Sequence, residues 1–135
     1  MRGFTGSVED RLLIRERIEA YNDAVFRFDA DDWAECWAED ASWKVGENAA
    51  EGRAAIRELW LKLMNGFEAA AMYVQHGGVA VEGDTAQSRS YMLELLKGKD
   101  GSQRLVSGRY DDQLRRDADG QWRFVNRSYS VLQVR

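Results

Sequence analysis

The hydrophobic period of this chain changes half-way along it. Ile14, Ile18, Tyr21, Val25 and Phe28 follow one another at spacings of 4, 3, 4 and 3, a stripe down one face of a helix. Ser7 is placed to cap that helix, with Glu9 and Asp10 in its first turn, and the helix is expected to end near Asp29. A short second helix follows, capped by Asp31 or Asp32, with Trp33, Cys36 and Trp37 on one face. Ala41 to Val45 alternates as a strand, and Gly46 to Gly52 reads as a loop. Ile56, Leu59, Trp60, Leu63 and Phe67 then mark a third amphipathic helix from Arg53 to about Ala70. Beyond it the period is two. Tyr73 to Val81, Thr85 to Lys97, Gln103 to Arg116 and Gln121 to Val134 read as strands joined by turns rich in Asp and Gly.

Helices first and a meander of long strands second is an α+β arrangement. Strands of about 12 residues bend when helices pack on them. The expected fold is a cone-shaped α+β barrel: N-terminal helices on a curved mixed, mostly antiparallel sheet. The hollow of such a cone is a natural small-molecule pocket.

A length of 135 residues predicts one domain, 1–135. Lys plus Arg is 19 and Asp plus Glu is 23, a net charge of −4 with no basic tract. That argues against nucleic acid or an anionic membrane surface as partner. No apolar run approaches the ~18–20 residues that span a bilayer, and the start lacks an apolar leader. One cysteine, Cys36, excludes an internal disulfide, and one histidine, His76, excludes a two-histidine metal motif. The expectation is a cytoplasmic chain with no metal and no organic cofactor.

Three residues stand out chemically. Asp29 lies at the C-terminal end of the first predicted helix, where the dipole disfavours a carboxylate. It reads either as a functional acid near the pocket or as a cap of the second helix. His76 interrupts an apolar strand and precedes Gly77-Gly78, a pair that suggests a bulge. It reads as a base or as a satisfied core histidine. Arg127, on the last strand, reads as an anion or leaving-group stabiliser, or as a structural ion pair with Asp112 or another strand acid. Strand parity puts Arg127 on the face opposite Trp122 and Phe124 unless a bulge intervenes. Trp33, Trp43, Trp60, Met64 and Met92 read as core whose surface also suits an aromatic or polycyclic ligand. Tyr21 and Tyr110 are the expected pocket hydroxyls. Glu94, within an apolar run, reads as an edge or interface charge ahead of any catalytic use.

The spacing Ile18-x2-Tyr21-x7-Asp29-x3-Trp33, then Trp37-x2-Asp40-Ala41-x-Trp43, then Gly52-x3-Ile56, resembles the SnoaL-like branch of the nuclear-transport-factor-2-like superfamily. So do His76-Gly77, Gly108-x-Tyr110-x-Asp112-x-Leu114 and Gly120-x-Trp122-x-Phe124-x2-Arg127. The resemblance implies a cone-shaped α+β barrel, usually a homodimer or homotrimer. Its members include polyketide cyclases, ketosteroid isomerase, scytalone dehydratase, a lindane dehydrochlorinase, epoxide hydrolases and binding-only domains, so fold alone does not fix activity. In the dehydratase and dehydrochlorinase members an Asp and a His at the matching positions form a dyad. The resemblance thus implies that Asp29 orients His76 as a general base. It implies a lyase or isomerase acting on a small hydrophobic, cyclic substrate. The alternative it leaves is a non-catalytic ligand-binding or oligomerising domain. The acidic base of ketosteroid isomerase has no counterpart in Trp43-Lys44-Val45-Gly46.

Overall fold

The computed structural model describes residues 1–135. The elements are β1 (Phe4–Thr5), α1 (Val8–Arg27), α2 (Ala30–Glu35), β2 (Trp37–Val45), β3 (Asn48–Glu51), α3 (Arg53–Met64), β4 (Phe67–Glu82), β5 (Thr85–Gly98), β6 (Gln103–Arg116) and β7 (Trp122–Val134). The strands form one seven-stranded sheet in the order β1-β4-β5-β6-β7-β2-β3. β4 to β7 pair antiparallel in sequence, while β1 joins β4 and β2 joins β7 in parallel. The fold is α+β, with the helices on the inner face of an open sheet.

α1 forms where its stripe predicts. Ser7 Oγ accepts the Asp10 N–H at 3.0 Å, and Ile14, Ile18, Tyr21 and Val25 are buried. The helix stops at Phe28, the one non-glycine residue with positive φ, at 53°. That left-handed step turns the Asp29 N–H back to the Ala24 carbonyl at 3.0 Å, while the Phe28 N–H bonds the Val25 carbonyl. It also leaves Asp29, not Asp31 or Asp32, as the cap of α2: Asp29 Oδ1 accepts the Asp32 N–H at 2.9 Å.

Two further expectations are corrected. The stretch 46–52 is no loop: the chain turns at Gly46, φ 59°, and β3 returns along β2 with Trp43 opposite Ala50. α3 ends at Met64, and Phe67 opens β4 instead of closing the helix. Phe67 to Ala71 pair with Leu95 to Gly98 across the sheet. Cross-strand pairing there overrides the local helical period.

The long strands carry bulges that decide which side chains face inward. Gly77 is the extra residue between the pairs His76↔Ser90 and Gly78↔Arg89. Val125 is extra between Phe124↔Leu114 and Asn126↔Gln113. No helix is long and apolar enough to cross a membrane.

Gly78 sits where β1 meets β4. A Cβ there would lie 2.8 Å from the Gly3 carbonyl oxygen, itself the acceptor of the Val79 N–H at 3.0 Å. Gly78→Ala is expected to push β1 off the edge of β4 and cost about 1–3 kcal/mol, as overpacking does. Hydrogen exchange should show loss of protection at Val79 with the core strands unchanged.

Candidate functional site

His76 lies on the inner face of β4, just before its bulge. Its side chain is 7% exposed. Nε2 is 3.3 Å from Glu19 Oε1 on α1, while Nδ1 is buried without a partner. Two more buried polar atoms on the same α1–β4–β5 seam lack partners: Asn22 Oδ1, one helical turn from Glu19, and Ser90 Oγ, opposite His76 in the ladder. Asn22 Nδ2 reaches only the Met92 Sδ, at 3.5 Å. Burial pulls the His76 pKa below its ordinary value, and Glu19 opposes this. The imidazole is therefore neutral near pH 7. A carboxylate on Nε2 holds the proton there and leaves Nδ1 as a lone pair with no hydrogen-bond donor. The bulge favours glycine, since a Cβ at Gly77 would come to 3.0 Å from the Tyr91 ring and 3.1 Å from the Arg89 carbonyl oxygen.

Arg127 lies at the centre of the inner face. Parity alone points it away from Phe124, but the extra residue Val125 turns it inward. Its Nε and Nη2 meet Asp112 Oδ1 and Oδ2 at 2.7 and 3.1 Å, and both side chains are fully buried. Ser88 Oγ donates to Asp112 Oδ2 at 3.1 Å. Burial pushes the Asp112 carboxyl up, and Arg127 and Ser88 pull against it. The guanidinium is boxed by rings, with Cζ 3.6 Å from the Tyr110 centroid, 4.1 Å from Phe124 and 4.4 Å from Tyr21. Of the two readings of Arg127, the ion pair with Asp112 is the one built.

The remaining residues divide. Tyr21, Trp33, Trp43, Met92 and Tyr110 are buried core. The Tyr21 and Tyr110 hydroxyls bond each other at 3.1 Å, and Trp33 stacks on Trp60 at 4.8 Å and 14°. Rings thus occupy the middle of the inner face where an open hollow was expected. Trp60 and Met64 also border a cleft of about 460 Å3 beside Phe28, Leu61, Phe67 and Lys99. A cleft of about 730 Å3 on the outer face, bordered by Arg2, Thr5, Gln87, Gln113 and Arg115, holds none of the predicted residues.

Asp29 is not joined to His76. Its Oδ1 caps α2, and its Oδ2 takes Arg27 Nη1 at 3.0 Å. The Asp32 N–H, then the Arg27 guanidinium, hold its pKa below the usual range. The expected Asp29–His76 hydrogen bond gives way to Glu19–His76, because the left-handed turn at Phe28 commits Asp29 to the next helix.

Residues 6–128 match the model of the SnoaL-like domain. The chain belongs to the SnoaL-like domain family. It lies within the nuclear-transport-factor-2-like superfamily. A protein described as an aromatic ring hydroxylase from Novosphingobium aromaticivorans is 31% identical, with TM-score 0.89 over 96% of this chain and 93% of that one. A protein described as a scytalone dehydratase from the same organism is 19% identical, with TM-score 0.86 over 95% and 87%. A hexachlorocyclohexane dehydrochlorinase, LinA type 2, is 20% identical, with TM-score 0.82 over 96% and 92%. The last two likenesses show the fold alone. A comparison with proteins of curated function finds no match.

In this SnoaL-like chain the sequence reading missed Glu19, Asn22 and Ser90. Asn22 was detectable: it stands four residues after Ile18, a polar side chain on the apolar stripe. Ser90 shares the inward parity of Met92. Glu19 gave no signal, since it borders the stripe and is 53% exposed. Glu94 is no edge charge, for it faces inward and its carboxylate accepts the Tyr129 hydroxyl.

Arg127→Met alone leaves Asp112 charged and unpaired in the core and is expected to cost about 3–5 kcal/mol. The double variant Arg127→Met with Asp112→Leu should recover most of that loss, as read by urea unfolding. Asp29→Ala removes only a cap and a surface ion pair, so its loss by the same measurement should be far smaller than that of Arg127→Met.

Proposed function

We propose that this chain is a cofactor-independent lyase or isomerase for a small hydrophobic, cyclic substrate, with His76 as general base and Glu19 as its orienting carboxylate. The observation that carries this reading is the asymmetry of one imidazole: Nε2 is engaged by a carboxylate and Nδ1 is buried and free. Nδ1 would take a proton from carbon next to an electron-withdrawing group. The electron pair of that C–H bond then either expels a leaving group or moves into an enolate. Ser90 Oγ, unpartnered beside His76, is available to donate to the oxygen on which charge develops. Neither step requires a redox change. Family membership supports the general class, and the dehydratase and dehydrochlorinase among the structural neighbours illustrate such chemistry on this fold.

A second reading is favoured by the packing of rings across the inner face: a non-catalytic ligand-binding domain. The two readings part in a panel of cyclic β-hydroxyketones followed by enone absorbance. Turnover that falls about 100-fold in His76→Gln and persists in Asp29→Ala supports the catalytic reading. Binding without turnover supports the other.

The base can be read without substrate, because His76 is the only histidine. Its ring-proton resonance is expected to titrate below about 6.5, the ordinary value. Glu19→Gln removes an influence that raises the pKa, so it should lower the midpoint further. A midpoint unmoved by Glu19→Gln would remove the orienting role.

A further inference from the structure

Along β5 the inner face is buried from Ser88 to Met92, and beyond it Glu94 and Leu96 are partly exposed. Ser88, Ser90 and Met92 are buried with their ladder partners Asp112, Tyr110 and Gly108. The next inward residue, Glu94, is only partly buried, and so is Tyr129 opposite Tyr110 on β7. The Tyr129 hydroxyl donates to Glu94 Oε2. Gly108 makes room for this contact, since a Cβ there would overlap the Tyr129 hydroxyl. The Tyr129 ring rests on Tyr110, with centroids 4.7 Å apart.

The surroundings of this pair are apolar apart from Arg104, whose charge also acts on Glu94. In register on the same face lie Met72, Val106 and Val45, with Leu96 and Val131 one step further along their strands. Val131 is half-exposed. A carboxylate in such a setting is costly unless hydrogen-bonded. Tyr129 supplies one bond to one oxygen, and no second protein donor reaches Glu94. Burial pushes the Glu94 carboxyl above its ordinary range, and burial with the Glu94 charge pushes the Tyr129 phenol up. Tyr129 therefore stays protonated, and Glu94 retains unused acceptor capacity on its other oxygen.

We propose that Glu94, held by Tyr129 over Gly108, is a binding subsite for the hydroxyl group of a small aromatic or alicyclic ligand at the open end of the inner face. The ligand O–H donates to the free carboxylate oxygen. Its ring lies against Leu96 and Val131. The subsite does not depend on His76, which lies about four residues away along the sheet, roughly 13 Å at 3.3 Å per residue.

The test compares 2-naphthol with naphthalene, which has the same ring system and no donor, by fluorescence titration of the full chain. The wild type is expected to prefer 2-naphthol about tenfold or more, the size of one hydrogen bond to a charged acceptor. Replacing both partners by apolar groups, as Glu94→Leu with Tyr129→Phe, avoids stranding a buried polar atom. That variant should bind naphthalene as the wild type does and lose the preference. His76→Gln should keep it, which separates this subsite from the proposed base. Equal affinity for the two probes in the wild type, no binding of 2-naphthol, or a preference surviving in the double variant would each overturn the assignment.

Discussion

The bidentate pair between Arg127 and Asp112 is the constraint around which the inner face is arranged. Two opposite charges shut away from water need good geometry to be tolerated, and in this pair Arg127 Nη1 alone is left without a hydrogen-bond partner. Here the geometry is supplied by adjacent strands in register, Asp112 opposite Arg127, with Ser88 on the next strand completing the carboxylate. Tyr110, Phe124 and Tyr21 wrap the cation with ring faces. Trp33 and Trp37 pack on those rings, and Trp43 packs in turn on Trp33 and Trp37.

This central block divides the polar chemistry into two flanks. On the α1 side, Glu19, Asn22, His76 and Ser90 form a seam with three unpartnered buried atoms. Toward the open end of β5 and β7, Glu94 and Tyr129 form a carboxylate–phenol pair in an apolar surround. The two flanks differ in kind. One holds a neutral imidazole whose Nδ1 has no hydrogen-bond partner. The other holds an acceptor that a ligand hydroxyl would complete. Neither uses the residue that local sequence context made the most conspicuous acid, Asp29.

Much of the fold was legible in the sequence. The spacing of Ile14, Ile18, Tyr21 and Val25 fixed α1, and the Asp- and Gly-rich turns fixed β5 and β6 to within a residue. Asp29 was legible in type and not in use. Its sequence position allowed either a cap or a dyad, and the left-handed Phe28 chose the cap. Glu19 was illegible because a glutamate beside an apolar stripe looks like any solvated helix residue. Its role comes from a histidine 57 positions later. Parity failed for Arg127 because a bulge reverses the facing of every residue beyond it, and no local pattern at Val125 announces one.

The sequence by itself determined the order of helices and long strands and the residue types available for proton chemistry, while β3 and the start of β4 were set by cross-strand pairing. Periodicity and turn residues are local, so they can be read along the chain. Only the tertiary structure decided which polar groups meet. Glu19 with His76, Arg127 with Asp112 and Tyr129 with Glu94 are pairs made across elements, set by strand register, two bulges and one left-handed residue. Those features depend on the energy of the whole packed sheet, and no short window of sequence carries that energy.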